Sequence, residues 1–170
     1  VTDGNGYYQY PVGGWSNKAG INDDVYLRAY GKVHVTDVFI RPSTRNKNMI
    51  VEYTVKNSNT SSKTVTLESD ARLRRNGSLA KSFTGPTVTL AAGEEKTIRT
   101  VYSWTNPELW FPDSTVLYHF ETRVKESGTL LDKETRRFGF REIWISGNQF
   151  YINGVRVNLY GDYQSVGDTW

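Results

Sequence analysis

The chain has 170 residues, 21 Lys and Arg against 18 Asp and Glu, a formal net charge of +3 and no cysteine. This length suits one domain with flanking pieces, and the lack of cysteine excludes disulfides, thiolate metal ligands and cysteine nucleophiles. The charges are mixed along the chain and no apolar run approaches the ~18 residues of a membrane helix, so neither a nucleic-acid partner nor a membrane partner is expected.

Residues 1–30 are punctuated by Gly4, Gly6, Gly13, Gly14 and Gly20 around Tyr7, Tyr8, Tyr10 and Trp15, and only Val25 to Tyr30 reads as a strand. From Lys32 the pattern becomes regular. Val33, Val35, Val38 and Ile40 open a strand that ends near Pro42, where the ring removes a ladder donor. Met49, Val51, Tyr53 and Val55 alternate with polar partners, the period of a strand with one face buried. Val65, Leu67, Ala71 and Leu73 lead into Asn76-Gly77, a hairpin dipeptide whose residues both tolerate positive φ. Phe83, Val88 and Leu90 follow, then a turn at Ala92-Gly93-Glu94, then Ile98, Val101 and Trp104. Val116 to Val124 alternates again, and Leu130 to Phe138 pairs back across Ser127-Gly128.

Seven short strands between Val33 and Phe140 with regular turn signals predict an all-β fold, an immunoglobulin-like antiparallel β-sandwich. Tyr118 stands early in the sixth strand, where such sandwiches place a tyrosine corner. Beyond it, Ile143 to Ile145, Phe150 to Ile152 and Val155 to Leu159 read as short strands turned by Gly147-Asn148 and Asn153-Gly154. After Gly161, residues 162–170 are polar and read as an element of a larger domain.

Three segments carry a resemblance. Phe138-Gly139-Phe140-Arg141-Glu142 followed by Phe150-Tyr151-Ile152-Asn153-Gly154 resembles the phrase with which the sandwich of family 2 glycoside hydrolases passes into a catalytic (β/α)8 barrel. Asn106-Pro107-Glu108-Leu109-Trp110 through Leu117-Tyr118 is similar to that family's connection ahead of its sixth strand. Gly20-Ile21 and Asp24-Val25-Tyr26-Leu27 resemble the closing strand of the preceding sugar-binding jelly roll, with Asn22 where an aromatic is usual. Leu159-Tyr160-Gly161-Asp162-Tyr163-Gln164-Ser165 also departs from the family, lacking its arginine and histidine, and marks an atypical subgroup.

The resemblance implies a division into 1–30, the end of the jelly roll; 31–141, the sandwich; and 142–170, an exit hairpin and the start of the barrel. It implies a parent enzyme that hydrolyses O-glycosyl bonds of a β-linked sugar with retention. A β-galactosidase comes first, on the Leu-Trp then Leu-Tyr connection, with β-mannosidase and β-glucuronidase next. The partners implied are the flanking jelly roll and barrel and the parent's carbohydrate substrate. Val1 in place of Met fits a processed or excised piece, and the absent cysteines suit cytoplasmic, periplasmic and secreted proteins alike.

Chemistry within the chain itself is sparse. Glycoside hydrolysis uses two carboxyl groups flanking the bond, and the resemblance puts both on later barrel strands. Asp23-Asp24, Glu94-Glu95, Asp132, Glu134 and Glu142 each stand in a turn or beside a basic neighbour, with Glu142 a structural position of the resemblance phrase. His34 and His119 fall within strands without companions for a metal site or a triad. No catalytic residue, metal or cofactor is therefore assigned. The candidate sugar contacts are aromatic faces at Trp15, Trp110 and Trp144, with Trp170 behind them and Trp104 assigned to the core. The expected role is a spacer that positions its neighbours, with Ile143, Ile145, Phe150 and Ile152 shared with the barrel. The alternatives are a carbohydrate-binding module acting through exposed aromatics and a cell-surface immunoglobulin-like spacer.

Overall fold

The computed structural model describes Tyr8–Gln9, Trp15–Ser16, Val25, Leu27 and residues 29–161. Every element among them is a strand. β1 (Tyr8–Gln9) and β2 (Trp15–Ser16) form a two-stranded antiparallel ribbon. The sandwich comprises β3 (Val33–Ser43), β4 (Asn48–Asn57), β5 (Lys63–Leu73), β6 (Leu79–Leu90), β7 (Glu95–Ser103), β8 (Tyr118–Glu126) and β9 (Thr129–Phe138). One sheet runs β3-β4-β7 and the other β6-β5-β8-β9, all antiparallel. Relative to a constant-type immunoglobulin domain, the fourth strand pairs with the third instead of the first sheet.

The expected alternation places the core. In β4, Met49, Val51, Tyr53 and Val55 are each 0% exposed and face Leu67, Leu90, Phe120 and Val124 of the other sheet, equally buried. Around Phe83 the aromatic rings interlock, with Tyr102 4.9 Å, Trp104 5.6 Å and Phe120 5.7 Å away between centroids. The polar atoms inside this core are bonded to one another. Tyr53 Oη lies 3.1 Å from both Ser69 Oγ and Tyr102 Oη, and Ser69 Oγ lies 3.2 Å from Thr122 Oγ1. Unbonded, such hydroxyls would cost kcal/mol each to bury.

Two irregularities explain breaks in the period. Val33, Val35 and Val38 all point inward because the β3 register shifts between Val35 and Asp37. The displaced Val35 N–H donates to Asp132 Oδ2 at 2.8 Å, which ties this edge strand to β9 of the facing sheet. In β6, Gly85-Pro86 lie where the pairing with β5 shifts between Thr66 and Glu68. A Cβ on Gly85 would stand 2.3 Å from the Leu67 carbonyl oxygen, so only glycine fits.

Three expectations are corrected. The described residues of Val25–Tyr30 form no strand, and Val25 and Leu27 are 77% and 102% exposed; no described strand pairs with them. Val101 points outward at 52% exposure, because Tyr102 holds the inward phase at the end of β7 and Trp104, just beyond it, continues that phase. At Asn76-Gly77 only Gly77 has positive φ (72°), and Asn76 Oδ1 instead accepts from the Ser78 amide at 3.1 Å. That loop is longer than the two-residue turn its sequence suggests, the Leu73 amide donating to Ser78 O. Ser127-Gly128 does turn with φ of 48° and 84°, the mirror-type geometry of a tight hairpin.

Beyond the sandwich, β10 (Ile143–Ser146), β11 (Gln149–Ile152) and β12 (Val155–Val157) form a small antiparallel exit sheet. Its last turn, Asn153-Gly154, has φ of 51° and 89°.

Candidate functional site

The most heavily tied polar cluster sits where the chain leaves the sandwich. Three segments converge there: the turn after β3, the connection between β7 and β8, and the exit sheet. The last residue of β3 and the turn after it offer a run of donors, Ser43, Thr44 and Arg45, and one carboxylate takes them all. Glu142 Oε2 accepts from Ser43 Oγ and Thr44 Oγ1, each at 3.1 Å, and from the Arg45 amide at 3.0 Å. Glu142 Oε1 accepts from Arg45 Nε at 2.8 Å and Nη2 at 2.6 Å. Two guanidinium N–H groups thus share one carboxylate oxygen in a charge-assisted grip, while the other oxygen takes the two hydroxyls and the backbone amide. The Glu142 side chain is 13% exposed. Burial alone would raise its carboxyl pKa, but the bonds from Arg45, Thr44 and Ser43 outweigh it and bring the value down to about 2.

Asn153 ties the same point from the other side. Its Oδ1 accepts from the Glu142 amide at 2.8 Å, its amide donates to Glu142 O at 2.9 Å, and its Nδ2 donates to Trp110 O at 2.8 Å. The Trp110 amide in turn donates to Phe140 O at 3.1 Å. Tyr118 anchors the connection, its Oη accepting from the Glu108 amide at 2.8 Å and donating to Glu108 O at 3.1 Å. These are the bonds of a tyrosine corner. Burial, its largest influence, raises the Tyr118 pKa.

The tryptophans nominated as sugar contacts lie in different places. Trp110 is half-buried, with the Arg141 guanidinium 4.6 Å from its ring centroid and Gly139 packed so closely that a Cβ there would meet the Trp110 Cβ at 3.0 Å and the indole at 3.1 Å. Trp144 is half-buried on one face of the exit sheet, parallel to Tyr151 (5.8 Å, 11°), with Arg45 4.6 Å from its ring centroid. Each ring therefore has a cation over one face. Trp15 contributes backbone to β2, while its side chain and all of Trp170 lie outside the described residues. Trp104 is a core residue, 5% exposed.

The remaining carboxylates are largely paired. Asp70 accepts from Arg123 at 2.9 Å and Ser82 at 2.6 Å; burial pushes its pKa up, but these bonds outweigh it and hold it below the usual range. Glu68 pairs with Lys125, Glu126 with Lys63 and Glu108 with Arg75. Among the described residues no three His, Asp or Glu side chains converge as a metal site requires. Across the exit sheet from Trp144 lies an apolar face, where Ile143, Ile145 and Val155 are 54%, 64% and 53% exposed, Phe150 is 38% exposed and only Ile152, at 5%, is buried.

The role of the Glu142 and Asn153 side chains escaped the sequence reading. Glu142 was legible only as a fixed position and Asn153 only as a turn residue. The available signal was the adjacent donor run Ser43-Thr44-Arg45, which needs an acceptor, but nothing local names one 97 to 99 residues away.

Comparison with known proteins supplies the wider setting. The family model described as glycosyl hydrolases family 2 matches residues 33–141. A protein of Formosa agariphila named as a β-glucuronidase is 38% identical over 56 residues, covering 32% of this chain and 5% of its own length. A β-galactosidase of Lactococcus lactis is 39% identical over 57 residues, covering 33% of this chain and 6% of its own. Among solved structures, the β-glucuronidase of Bacteroides uniformis superposes with a TM-score of 0.60 at 25% identity, over 72% of this chain and 16% of that one. The chain thus corresponds to a small part of the length of each.

Proposed function

The chain belongs to family 2 of the glycosyl hydrolases, and from that premise we propose that its sandwich is a non-catalytic positioning domain. In this reading residues 31–141 hold a sugar-binding jelly roll, to which 1–30 belong, against a catalytic barrel approached through 142–170. The parent enzyme hydrolyses O-glycosyl bonds of a β-linked sugar. A β-galactoside is its first candidate substrate and a β-glucuronide the next, in keeping with the activities for which its relatives are named.

The observation that carries the positioning role is the exit sheet, two-faced and tied by its polar side. A sheet of three short strands draws its stability from its hydrophobic face, and covering that face removes more apolar surface from water. Here one face lies beside Arg45 and the sandwich, and the other presents Ile143, Ile145, Phe150 and Val155. A contiguous apolar face of this sort belongs to an interface, and the occupant proposed is the barrel of the same enzyme. The carbohydrate-binding alternative is disfavoured by the guanidinium groups over Trp110 and Trp144, which a sugar ring would have to displace from that face.

The test uses the pure chain. It is expected to bind a hydrophobic dye, to give no change in tryptophan fluorescence with millimolar galactose or glucuronate, and to leave aryl β-glycosides intact. Reproducible turnover of an aryl glycoside would overturn the proposal, and saturable sugar binding would shift it to the binding-module reading.

A further inference from the structure

No strand of the exit sheet is hydrogen-bonded to a strand of the sandwich. A continuous ladder would fix its angle through the backbone; without one, the angle depends on whatever ties cross the junction. Those ties converge on two residues. Glu142 gathers the end of β3 and the turn after it through five bonds to Ser43, Thr44 and Arg45. Asn153 bonds the Glu142 amide and the Trp110 carbonyl with one side chain. The two residues also meet directly, backbone to backbone, at 2.9 Å. Arg45 closes the figure, since its guanidinium both grips Glu142 and lies over Trp144 in β10.

We propose that Glu142 and Asn153 form an orientation lock, serving as positioning residues that set the angle between the exit sheet and the sandwich. The proposal rests on the positioning reading above and gives it a mechanism. Three properties suit the pair to this task. Its bonds are directional and cross from one body to the other in two non-equivalent directions, to Ser43, Thr44 and Arg45 and to the connection at Trp110, while a third set ties the two residues to each other. Its carboxylate is charged and shielded, so its bonds are of the stronger, charge-assisted kind. Asn153 occupies a positive-φ turn position that asparagine adopts readily, so one residue both closes the hairpin and bridges the two bodies.

That double use gives a clean experiment. Asn153→Gly keeps the turn, since glycine takes positive φ without strain, and deletes only the bridging amide. Glu142→Gln keeps the size of the side chain and removes the charge that Arg45 grips. Residual dipolar couplings, measured on the whole 170-residue chain, report relative orientation. The parent chain is expected to fit one alignment tensor across β3–β9 and β10–β12. In each variant the exit sheet should lose that common tensor and show a lower degree of order, while couplings within β3–β9 keep theirs. Loss of order in both bodies together would mean general destabilisation and overturn the proposal, as would a common tensor kept in both variants. Arg45→Lys, which retains the charge but not the paired Nε and Nη2 donors, should give a partial loss. The positioning reading fails separately, on turnover by the chain alone, and that result would leave the lock in place.

Discussion

The sandwich and the exit sheet are held by opposite means. The sandwich is held by burial: Met49, Val51, Tyr53, Leu67, Phe120 and Val124 have no exposed surface, and its hydroxyls bond among themselves. The exit sheet buries Ile152 and exposes most of its other apolar residues, and it meets the sandwich through a carboxylate, an amide and a guanidinium. Burial is strong but non-directional, whereas hydrogen bonds add little net energy and much geometry. The division follows from this: one region supplies stability and the other supplies an angle.

The sharpest way to break the comparison is to damage the sandwich. Phe120 packs with Phe83 at 5.7 Å and Phe138 at 6.1 Å between centroids. Phe120→Ala should cost about 3–5 kcal/mol through lost transfer energy and a residual cavity. Urea unfolding followed by circular dichroism would measure it. A cost under about 1 kcal/mol would mean the core is not packed as described.

Acid should act on the junction next. The Glu142 carboxyl has an ordinary value of 4.5 and about 2 when folded. A depressed pKa contributes stability that is fully present above the unfolded value and is lost as pH falls towards the folded one. The junction should therefore hold at neutral pH and weaken between about pH 4.5 and 2, by on the order of 2–3 kcal/mol at the acid end. Asp70, also held below its ordinary range, loses its contribution in acid as well, so the Glu142 share is the difference between the parent chain and Glu142→Gln. Parallel acid profiles for the two would remove Glu142 from the account.

A smaller effect is expected at the tyrosine corner. Tyr118→Phe keeps the ring against Trp104 (5.2 Å) and deletes both bonds to Glu108. With the amide and carbonyl of the exposed Glu108 released to solvent, a loss of about 0.5–1.5 kcal/mol is expected in thermal or urea unfolding. An unchanged midpoint would show that water replaces the hydroxyl at no cost.

Legibility in the sequence followed the same division. The strands of the sandwich announced themselves because period-2 alternation is local: Met49 to Val55 can be read without knowing what lies opposite. The three-residue step from Val35 to Val38 reads as part of one strand, and its cause, a bulge against β4, has no local signal. Val101 misled because apolar character alone does not fix phase, and the aromatic Tyr102 and Trp104 decided it. Gly85-Pro86 gave a bulge signal that was legible in principle, but its reason, the Leu67 carbonyl, lies on another strand. The exit strands were legible from Asn153-Gly154. Their attachment was not, since a carboxylate finding donors 97 to 99 residues earlier leaves no periodic trace. Trp110 and Trp144 could be nominated as aromatic faces, but the cations that came to lie over them could not be foreseen, because Arg141 and Arg45 reach them only through the folded junction.

The smallest expected effect on stability sharpens the comparison most. Ile143 and Ile145 are 54% and 64% exposed, so replacing both with Ser removes little buried surface. The change should alter unfolding by roughly 0.5 kcal/mol or less, as surface substitutions usually do. Its consequence should appear elsewhere. If the face is an interface, the isolated chain carries exposed apolar surface that binds dye and favours self-association. Ile143→Ser with Ile145→Ser should therefore reduce dye fluorescence and shift sedimentation towards monomer while the melting temperature stays put. The matched control is Val101→Ser, 52% exposed but on the outer face of the β3-β4-β7 sheet, where its cross-strand partner Ile50 sits among Arg41, Glu52 and Arg99, so that dye binding should change less. Equal dye loss in the two variants would show that exposed apolar residues on this chain act singly, and the exit sheet would then have no claim to be a docking face. Dye loss greater in the exit-sheet variant, at unchanged stability, separates a surface built to be covered from one built for solvent.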